Sequence, residues 1–325
     1  MRKSVLVLAL ALVVLAMVPL AAQKAFAPAA NIEWWVASSP GGGSDIFTRM
    51  IGDIMTRENL AGGKTILVAN KTDGGGEVVR LAVSKVPAGV TSNHTILTFN
   101  SGDLMPMVKN TANRLENFQP LAMMAVDKQL VYIGEQSKYK TFAEVIAAVK
   151  AGQPITMAGS KGDDVMTYEL LIRELGFTQM QFAYITNDAT SGAITSILGG
   201  HVDLVISKPA AADQYVVAGK LKPVLALSKT RFTGNLAEAP RLSEVGAYKD
   251  VEFPVWRGIV GPKSMSPEAV KFWTAALKKV SETAAWQNDY IAKYKLQPFY
   301  LDAAAAKAYM AEFQATYMAS QGIAK

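Results

Sequence analysis

Short apolar or β-rich runs alternate along the chain with longer segments whose apolar residues recur every three or four positions. The short runs predict strands, and the longer segments predict amphipathic helices. This alternation is typical of an α/β fold, in which helices cover the faces of parallel sheets. The predicted strands are Glu33–Ala37, Thr65–Ala69, Thr95–Phe99, Gln129–Ile133, Ile155–Ala158, Val202–Ser207, Pro223–Leu227 and Gly258–Val260.

Helix boundaries are marked by residues that suit the two ends of a helix. Thr141 and Glu144 form a capping box, and Ser266 with Pro267 supplies an N-cap followed by a first-turn proline. Gly199 ends another helix, because glycine adopts the left-handed conformation that terminates helices. Helix starts are therefore predicted at Ser44 or Asp45, at Thr141, at Asp163 or Asp164, at Ser266 and after Asp302.

The N-terminus has the form of an export signal. Two basic residues precede an apolar run from Val5 to Ala22, and small residues follow it at 25–29. We expect residues 1–29 to be removed on export to the periplasm. A retained membrane anchor is the alternative, since the run nearly reaches the length of a membrane span. The chain has no cysteine, so neither disulfides nor a lipid-modified cysteine are expected.

Composition excludes several function classes. The formal charge falls from +6 to +3 without the leader, and no block of five Lys or Arg occurs, so nucleic-acid binding is not expected. The two histidines, His94 and His201, lack the spacing of a metal site and are expected at the surface or at strand ends. With no cysteine and no Gly-x-Ser-x-Gly motif, we expect no enzyme, no metal and no cofactor.

Two glycine-rich turns each follow a strand and precede a helix. The first spans residues 38–45 (SSPGGGSD) and the second residues 70–76 (NKTDGGG). Glycines let a ligand approach the backbone, and a helix N-terminus attracts an anion. Neither turn has the spacing of a nucleotide phosphate loop or a dinucleotide fingerprint. At the ends of neighbouring parallel strands, the two glycine-rich turns would meet in one crevice. The alternative for the first turn is a tight strand-to-helix connection in which Ser44 only caps its helix.

The order of several short motifs resembles the receptors of tripartite tricarboxylate transporters. Besides the two turns and Arg49, they are Ala-Gly-Ser-x-Gly at 158–162, Leu-Gly-Gly-x-Val-Asp-Leu at 198–204, Ala-Gly-Lys-Leu at 218–221, Ala239-Pro240, Glu244-Val245-Gly246, Trp256 and the stretch 258–262. Each motif is weak alone, but their joint order covers nearly the whole chain after the leader. The resemblance implies a two-lobed type II periplasmic binding protein fold, with lobe 1 at 30–126 and 257–325 and lobe 2 at 127–256.

The resemblance also implies a site in which the turns hold one carboxylate of an organic acid. Backbone donors would make most of these contacts, and no arginine clamp would be needed. The other lobe would contact the distal end of the acid. At the turns it assigns Ser39, Gly42, Gly43, Ser44, Asp45, Thr72, Gly74, Gly75 and Gly76. At the distal end it assigns Ser101, Ser160, Lys161, Asp164, Asn187, Ser207 and Lys208, with Trp256 lining the cleft or packing at a domain junction.

The distal residues depart from the family pattern. Relatives usually have small residues where this chain has Lys161 to Asp164, and Asp-Asn where it has Ser207 and Lys208. The lysines would suit a second carboxylate, whereas Asp163 and Asp164 would suit an amine or a hydroxyl group, and the sequence leaves this open. The implied partners are a small carboxylate and the membrane permease subunits of a secondary transporter, with the receptor itself a monomer. Presentation of the ligand-bound form to a receptor kinase, and a periplasmic enzyme, are the alternatives.

Overall fold

The computed structural model describes residues 26–323, which form two α/β lobes, each built on its own sheet. The predicted signal falls almost wholly outside the described residues. The strands are β1 (Ile32–Val36), β2 (Ile66–Asn70), β3 (Thr95–Asn100), β4 (Phe118–Asp127), β5 (Gln129–Gly134), β6 (Ile155–Ser160), β7 (Phe182–Asn187), β8 (Leu204–Ser207), β9 (Leu221–Leu227), β10 (Val255–Pro262) and β11 (Gln297–Leu301).

Helices connect the strands and cover the faces of both sheets. They are α1 (Gly43–Arg57), α2 (Glu77–Ser84), α3 (Val90–His94), α4 (Ser101–Asn110), α5 (Phe142–Lys150), α6 (Asp163–Leu175), α7 (Thr190–Leu198), α8 (Pro209–Val217), α9 (Leu242–Val245), α10 (Pro267–Glu282) and α11 (Ala303–Ser320). Short 3₁₀ turns occupy Asp73–Gly76, Leu115–Asn117 and Gly234–Leu236, and a π-helical segment occupies Ala285–Ala292.

Both sheets are mixed rather than purely parallel. Lobe 1 has the strand order β11-β4-β10-β3-β1-β2, with β1 parallel to β2 and β3 and with β4, β10 and β11 antiparallel to their neighbours. Lobe 2 has the order β7-β6-β8-β5-β9, in which β6 is parallel to β7 and β8 while β5 is antiparallel to β8 and β9. The α/β prediction is confirmed, but the purely parallel arrangement is wrong.

Strands β4, β7 and β11 were not predicted. β4 is almost entirely buried and reads FQPLAMMAVD, so it lacks the apolar–polar alternation that marks a half-buried strand. β11 is short and contains Pro298, which lowers the strand signal. The added strands give lobe 1 six strands instead of the four predicted in that part of the chain.

Each sheet is buried on both faces, because successive residues of a strand point to opposite sides. In β1, Trp34 joins a core with Phe47 and Trp273 on one face, while Trp35 packs on the other against a second core. In β5, Val131 and Tyr132 divide in the same way between two lobe 2 cores.

The chain crosses between the lobes at two adjacent points. β4 of lobe 1 ends at Asp127 and β5 of lobe 2 begins at Gln129, while β10 returns the chain to lobe 1 at Val255. Asp127 and Val255 are partners in the ladder between β4 and β10. The crossings therefore lie side by side, as a hinge between two lobes requires.

The first described residues pack on lobe 1. The Phe26 ring lies 5.5 Å from that of Phe272, and the backbone N–H groups of Ala29 and Ala30 donate to His94 Nε2 at 2.9 and 3.2 Å. His94 is therefore buried directly before β3, so of its two expected positions it takes the strand end and not the surface. Within residues 26–323, no helix combines the length and apolar character needed to cross a membrane.

Candidate ligand-binding site

A small cavity lies between the lobes where strands of both sheets end. Its volume is about 40 Å³, which is room for about three water molecules. Lobe 1 contributes Ala37, Ser38, Gly43, Ser44, Asn100, Gly102 and Asp103, with Val255 and Arg257 from β10. Lobe 2 contributes Ser160, Lys161, Asp163, Asp188, Ala189, Thr190 and Lys208. Most of these residues follow the carboxyl ends of β1, β3, β6, β7 and β8, where α/β sheets bind ligands.

Five helices, α1, α4, α6, α7 and α8, begin at this cavity. Within the described chain, no N-cap side chain of the five accepts a hydrogen bond from its own first turn, although Asp103 in the first turn of α4 accepts from the Asn100 N–H at 3.2 Å. In contrast, Thr141, Ser266 and Asp302 cap α5, α10 and α11, which begin elsewhere. Each uncapped N-terminus carries roughly half a positive charge and free N–H donors. The cavity is therefore suited to an anion.

The first glycine turn brings the start of α1 to the cavity. Gly41 is left-handed (φ 72°), and its N–H donates to Asp45 Oδ2 at 2.9 Å. A Cβ on Gly43 would lie 2.6 Å from Arg257 Nη2, so a side chain there would displace the guanidinium group. Ser44 accepts a hydrogen bond from Asn100 Nδ2 at 2.9 Å. Gly43 and Ser44 thus line the cavity.

Asp45 holds the turn in place from behind. Its Oδ1 accepts hydrogen bonds from Arg49 Nε at 2.9 Å and from Asn70 Nδ2 at 3.0 Å. These partners and Gly41 lower the pKa of Asp45, although burial opposes them. Asp45 does not line the cavity in this arrangement, and its direct contact with a ligand stays a prediction.

The second glycine turn stands behind the cavity wall. Gly74, Gly75 and Gly76 are all left-handed (φ 59°, 68° and 83°), and none of the three lines the cavity, nor does Thr72. Buried Arg80 donates to the Gly75 carbonyl at 3.1 Å.

Arg80 links this turn to α4. It also donates to Asp103 Oδ1 at 3.1 Å and to Glu77 Oε2 at 2.9 Å. Sequence reasoning missed this arginine, because nothing in its helical position distinguishes it from a surface residue.

Lobe 2 contributes a buried ion-pair cluster. Lys208 Nζ contacts both Asp163 and Asp164. Burial works to lower the pKa of Lys208, but the two carboxylates raise it above its usual value. Asp164 is fully buried and also accepts hydrogen bonds from Ser160 N at 2.7 Å and from Gln129. Asp163, not Asp164, lines the cavity, because Asp164 lies behind it.

One arginine lies in the cleft, although the resemblance implied no need for an arginine clamp on the carboxylate. Arg257 lines the cavity, and its Nε donates to Asp127 Oδ2 at 2.9 Å, next to the lobe crossings. Trp256 is fully buried in lobe 1, with its ring 5.5 Å from Phe313. Adjacent residues of a strand face opposite sides, so Trp256 cannot share the cleft with Arg257.

The remaining predicted residues lie near the cavity without lining it. Asn187 donates to the Ile185 carbonyl at 3.3 Å, and Ser207 donates to the Lys208 carbonyl at 2.9 Å. Ser101 is buried and its Oγ has no partner among the described residues. Ser39 and Gly42 belong to the first turn but do not line the cavity.

Comparison with known proteins agrees with the geometry of the cleft. The sequence profile of the tripartite tricarboxylate transporter family receptors matches residues 48–319. The chain belongs to this receptor family. A UPF0065 protein from the gbd 5′ region of Cupriavidus necator is 27% identical over 296 residues, covering 89% of this chain and 85% of that protein.

Solved structures of periplasmic binding proteins share the fold of this receptor. BugD superimposes with a TM-score of 0.79 at 20% identity, covering 91% of this chain and 99% of that one. MatC from Rhodopseudomonas palustris with bound malate has a TM-score of 0.77 at 18% identity, covering 90% and 98%. The two-lobed periplasmic binding protein fold is thus confirmed, and the chain is a solute-binding protein of this family.

For this receptor, the sequence located the site better than it assigned individual contacts. Of the predicted residues, the structure brings Gly43, Ser44, Ser160, Lys161 and Lys208 together around the cavity. Residues one or two positions away were missed, among them Ser38, Gly102 and Asp188, while Asp163 was considered as a cleft residue but not assigned. The signal that could have found them is their position directly after predicted strands or at predicted helix starts.

Proposed function

We propose that this receptor captures a small organic carboxylate in the periplasm and delivers it to the permease subunits of a tripartite tricarboxylate transporter. The observation that carries the proposal is the meeting of five uncapped helix N-termini around one cavity between two lobes. Their unbonded N–H groups can bind carboxylate oxygens without an opposing side-chain cation. The malate in MatC, which has the same fold, supports a carboxylate ligand.

Ligand entry requires the lobes to separate. The cavity of about 40 Å³ is too small for an acid of several carbons, and the lobes touch around it. Ser191 Oγ donates to the Pro40 carbonyl at 3.1 Å, and Gly162 packs against Gly102. We propose that the acid enters an open cleft and that rotation about the crossings at Asp127 and Val255 buries it.

A melting-temperature screen tests ligand capture. The purified protein is first unfolded and refolded to remove carried-over ligand, then melted with mono- and dicarboxylates of three to eight carbons, aromatic acids and amino acids. A ligand that binds only the folded state raises the melting temperature. We expect an increase with at least one class of carboxylate; no increase with any acid would contradict the proposal.

Delivery to a permease is tested separately in cells. Uptake of the radiolabelled acid found in the screen is measured in the parent strain and in a strain that lacks this receptor. We expect uptake to be lost and to return when the gene is restored. Unchanged uptake would remove the transport part of the proposal while leaving ligand binding intact.

Gly102→Ala should hinder closure of the lobes. Gly102 lies in α4, where alanine is favourable, but its Cβ would overlap Asp163 Oδ1 of the other lobe. We expect affinity to fall by about tenfold and the ligand-induced decrease in radius of gyration, measured by small-angle scattering, to shrink. Gly52→Ala in α1 is the control, because its Cβ would make only ordinary contacts. Full compaction of Gly102→Ala by ligand would contradict the closure mechanism.

Binding should weaken as the pH rises because Lys161 loses its proton. Burial lowers the pKa of Lys161, although Asp103 and Asp188 oppose this. A bound carboxylate favours the protonated amine, so binding takes up a proton and affinity falls as pH passes through the lowered pKa. We expect titration calorimetry between about pH 7 and 10 to show this decrease, and Lys161→Met to remove it. The same decrease in Lys161→Met would assign the effect to another group.

A further inference from the structure

The cations around the cavity are mostly neutralised by the protein itself. Lys208 contacts the carboxylates of both Asp163 and Asp164, and Arg257 contacts that of Asp127. All three bonds are buried, so water screens them little. A ligand anion would have to compete with these carboxylates for either cation.

The charges of the cavity wall balance, and those behind it are negative. The charged lining residues are Asp103, Asp163, Asp188, Lys161, Lys208 and Arg257, three acids and three bases. Behind the wall, their direct partners are Asp127, Asp164 and Arg80, and Arg80 in turn pairs with Glu77. The excess of two negative charges disfavours a doubly charged anion, while the uncapped N-termini still favour one carboxylate.

Lys161 is the cation that remains available. Among the described residues, its Nζ has no hydrogen-bond partner, and its ion pair with Asp188 is long, at 3.7 Å. It lines the cavity beside the second glycine turn, where a Cβ on Gly75 would lie 3.7 Å from Nζ. One carboxylate of a ligand can therefore contact both Lys161 and helix N-termini. No equivalent set of contacts is present for a second carboxylate.

Asp163 presents an acceptor to the ligand. It is only 5% exposed and lines the cavity. Its Oδ2 is paired with Lys208 Nζ, whereas its Oδ1 lies beside Gly102 of lobe 1 and receives no hydrogen bond from a described residue. A buried acceptor oxygen without a donor is costly. A ligand with an N–H or O–H group at this end would satisfy it.

We propose that the cleft selects a ligand with one carboxylate at one end and a hydrogen-bond donor, an ammonium or hydroxyl group, at the other, in preference to a dicarboxylate. This inference rests on the proposed capture of a carboxylate. It chooses between the two interpretations that the sequence left open. Lys208 is held by two aspartates and does not bind a second carboxylate, and Asp163 accepts a hydrogen bond from the distal end of the ligand.

Titration calorimetry on the refolded protein tests this selectivity with matched acids. The probes are malonate, succinate, glutarate and adipate, together with the ω-amino and ω-hydroxy acids of the same chain lengths. We expect the tightest amino or hydroxy acid to bind at least about tenfold more tightly than the dicarboxylate of equal length. Equal or tighter binding of the dicarboxylate would overturn the inference and leave the proposed function standing. Failure of every probe to bind would overturn the inference, while the wider melting-temperature screen still decides the proposed function.

Asp163→Asn tests the role of this residue. The variant removes the acceptor charge and leaves Lys208 with Asp164 alone, so we expect the ratio of dicarboxylate to amino-acid affinity to rise at least about tenfold. Asp53→Asn is the control, since Asp53 is exposed and pairs with Arg57 on the surface of lobe 1. An unchanged ratio in a folded Asp163→Asn variant would overturn the assignment of Asp163. If this variant does not fold, the selectivity of the parent protein still decides the inference.

Discussion

Ser44→Asp should reduce carboxylate affinity on the order of 100-fold without lowering the melting temperature. Ser44 lies in the first turn of α1 and lines the cavity, so the new carboxylate would face the ligand anion. An acidic residue in the first turn of a helix is itself favourable, because it interacts with the helix dipole. Titration calorimetry measures the affinity, and differential scanning calorimetry measures the melting temperature.

Ser44→Asn is the matched control for this substitution. Asparagine has nearly the shape of aspartate and retains an oxygen that can accept the hydrogen bond from Asn100 Nδ2. We expect its affinity to stay within about threefold of the parent. Equal affinities for the Asp and Asn variants would show that the anion does not bind at the start of α1.

Arg257→Ala should destabilise the protein by about 3–5 kcal/mol, because it leaves Asp127 buried without its partner. Arg257 is 2% exposed and Asp127 is 1% exposed, so water replaces neither side of the lost pair. For a chain of this size, the loss corresponds to a fall in melting temperature on the order of 10 °C. Differential scanning calorimetry of the ligand-free protein measures it.

Two further variants isolate the cause of this loss. Arg57→Ala breaks an exposed pair with Asp53 and should change stability by no more than about 1 kcal/mol. Combining Arg257→Met with Asp127→Leu removes both buried charges and should recover much of the stability lost in Arg257→Ala. A melting temperature for Arg257→Ala within 2 °C of the parent would show that the buried pair does not stabilise the hinge.

The sequence predicted the fold class and the position of the cleft, because both depend on local signals. Strand–turn–helix order and the glycines at 41–43 and 74–76 place the start of α1 and the second turn at one edge of the lobe 1 sheet. Helix starts at Thr141 and Ser266 were predicted from capping residues, and a last helix was predicted after Asp302; the structure shows all three as bonded N-caps. Such features need only a few neighbouring residues to form.

The individual contacts depend on pairings that are distant in sequence. The Arg257–Asp127 pair joins residues 130 positions apart, and Lys208 is 44 positions from Asp164. Which face of β10 points to the cleft follows from its place between β3 and β4, which the sequence did not give. For this reason the sequence left Trp256 open between the cleft and a domain junction, and Arg257 was missed.

Residue-resolved amide hydrogen exchange shows whether a carboxylate binds to the uncapped helix N-termini in the cleft. The refolded protein is compared with and without the carboxylate that most raises its melting temperature. We expect slower exchange at the first-turn amides of α1, α4, α6 and α7, with little change at the capped N-termini of α5, α10 and α11. Protection confined to other surfaces, or no protection at these first turns with the ligand at saturation, would contradict binding at the uncapped N-termini.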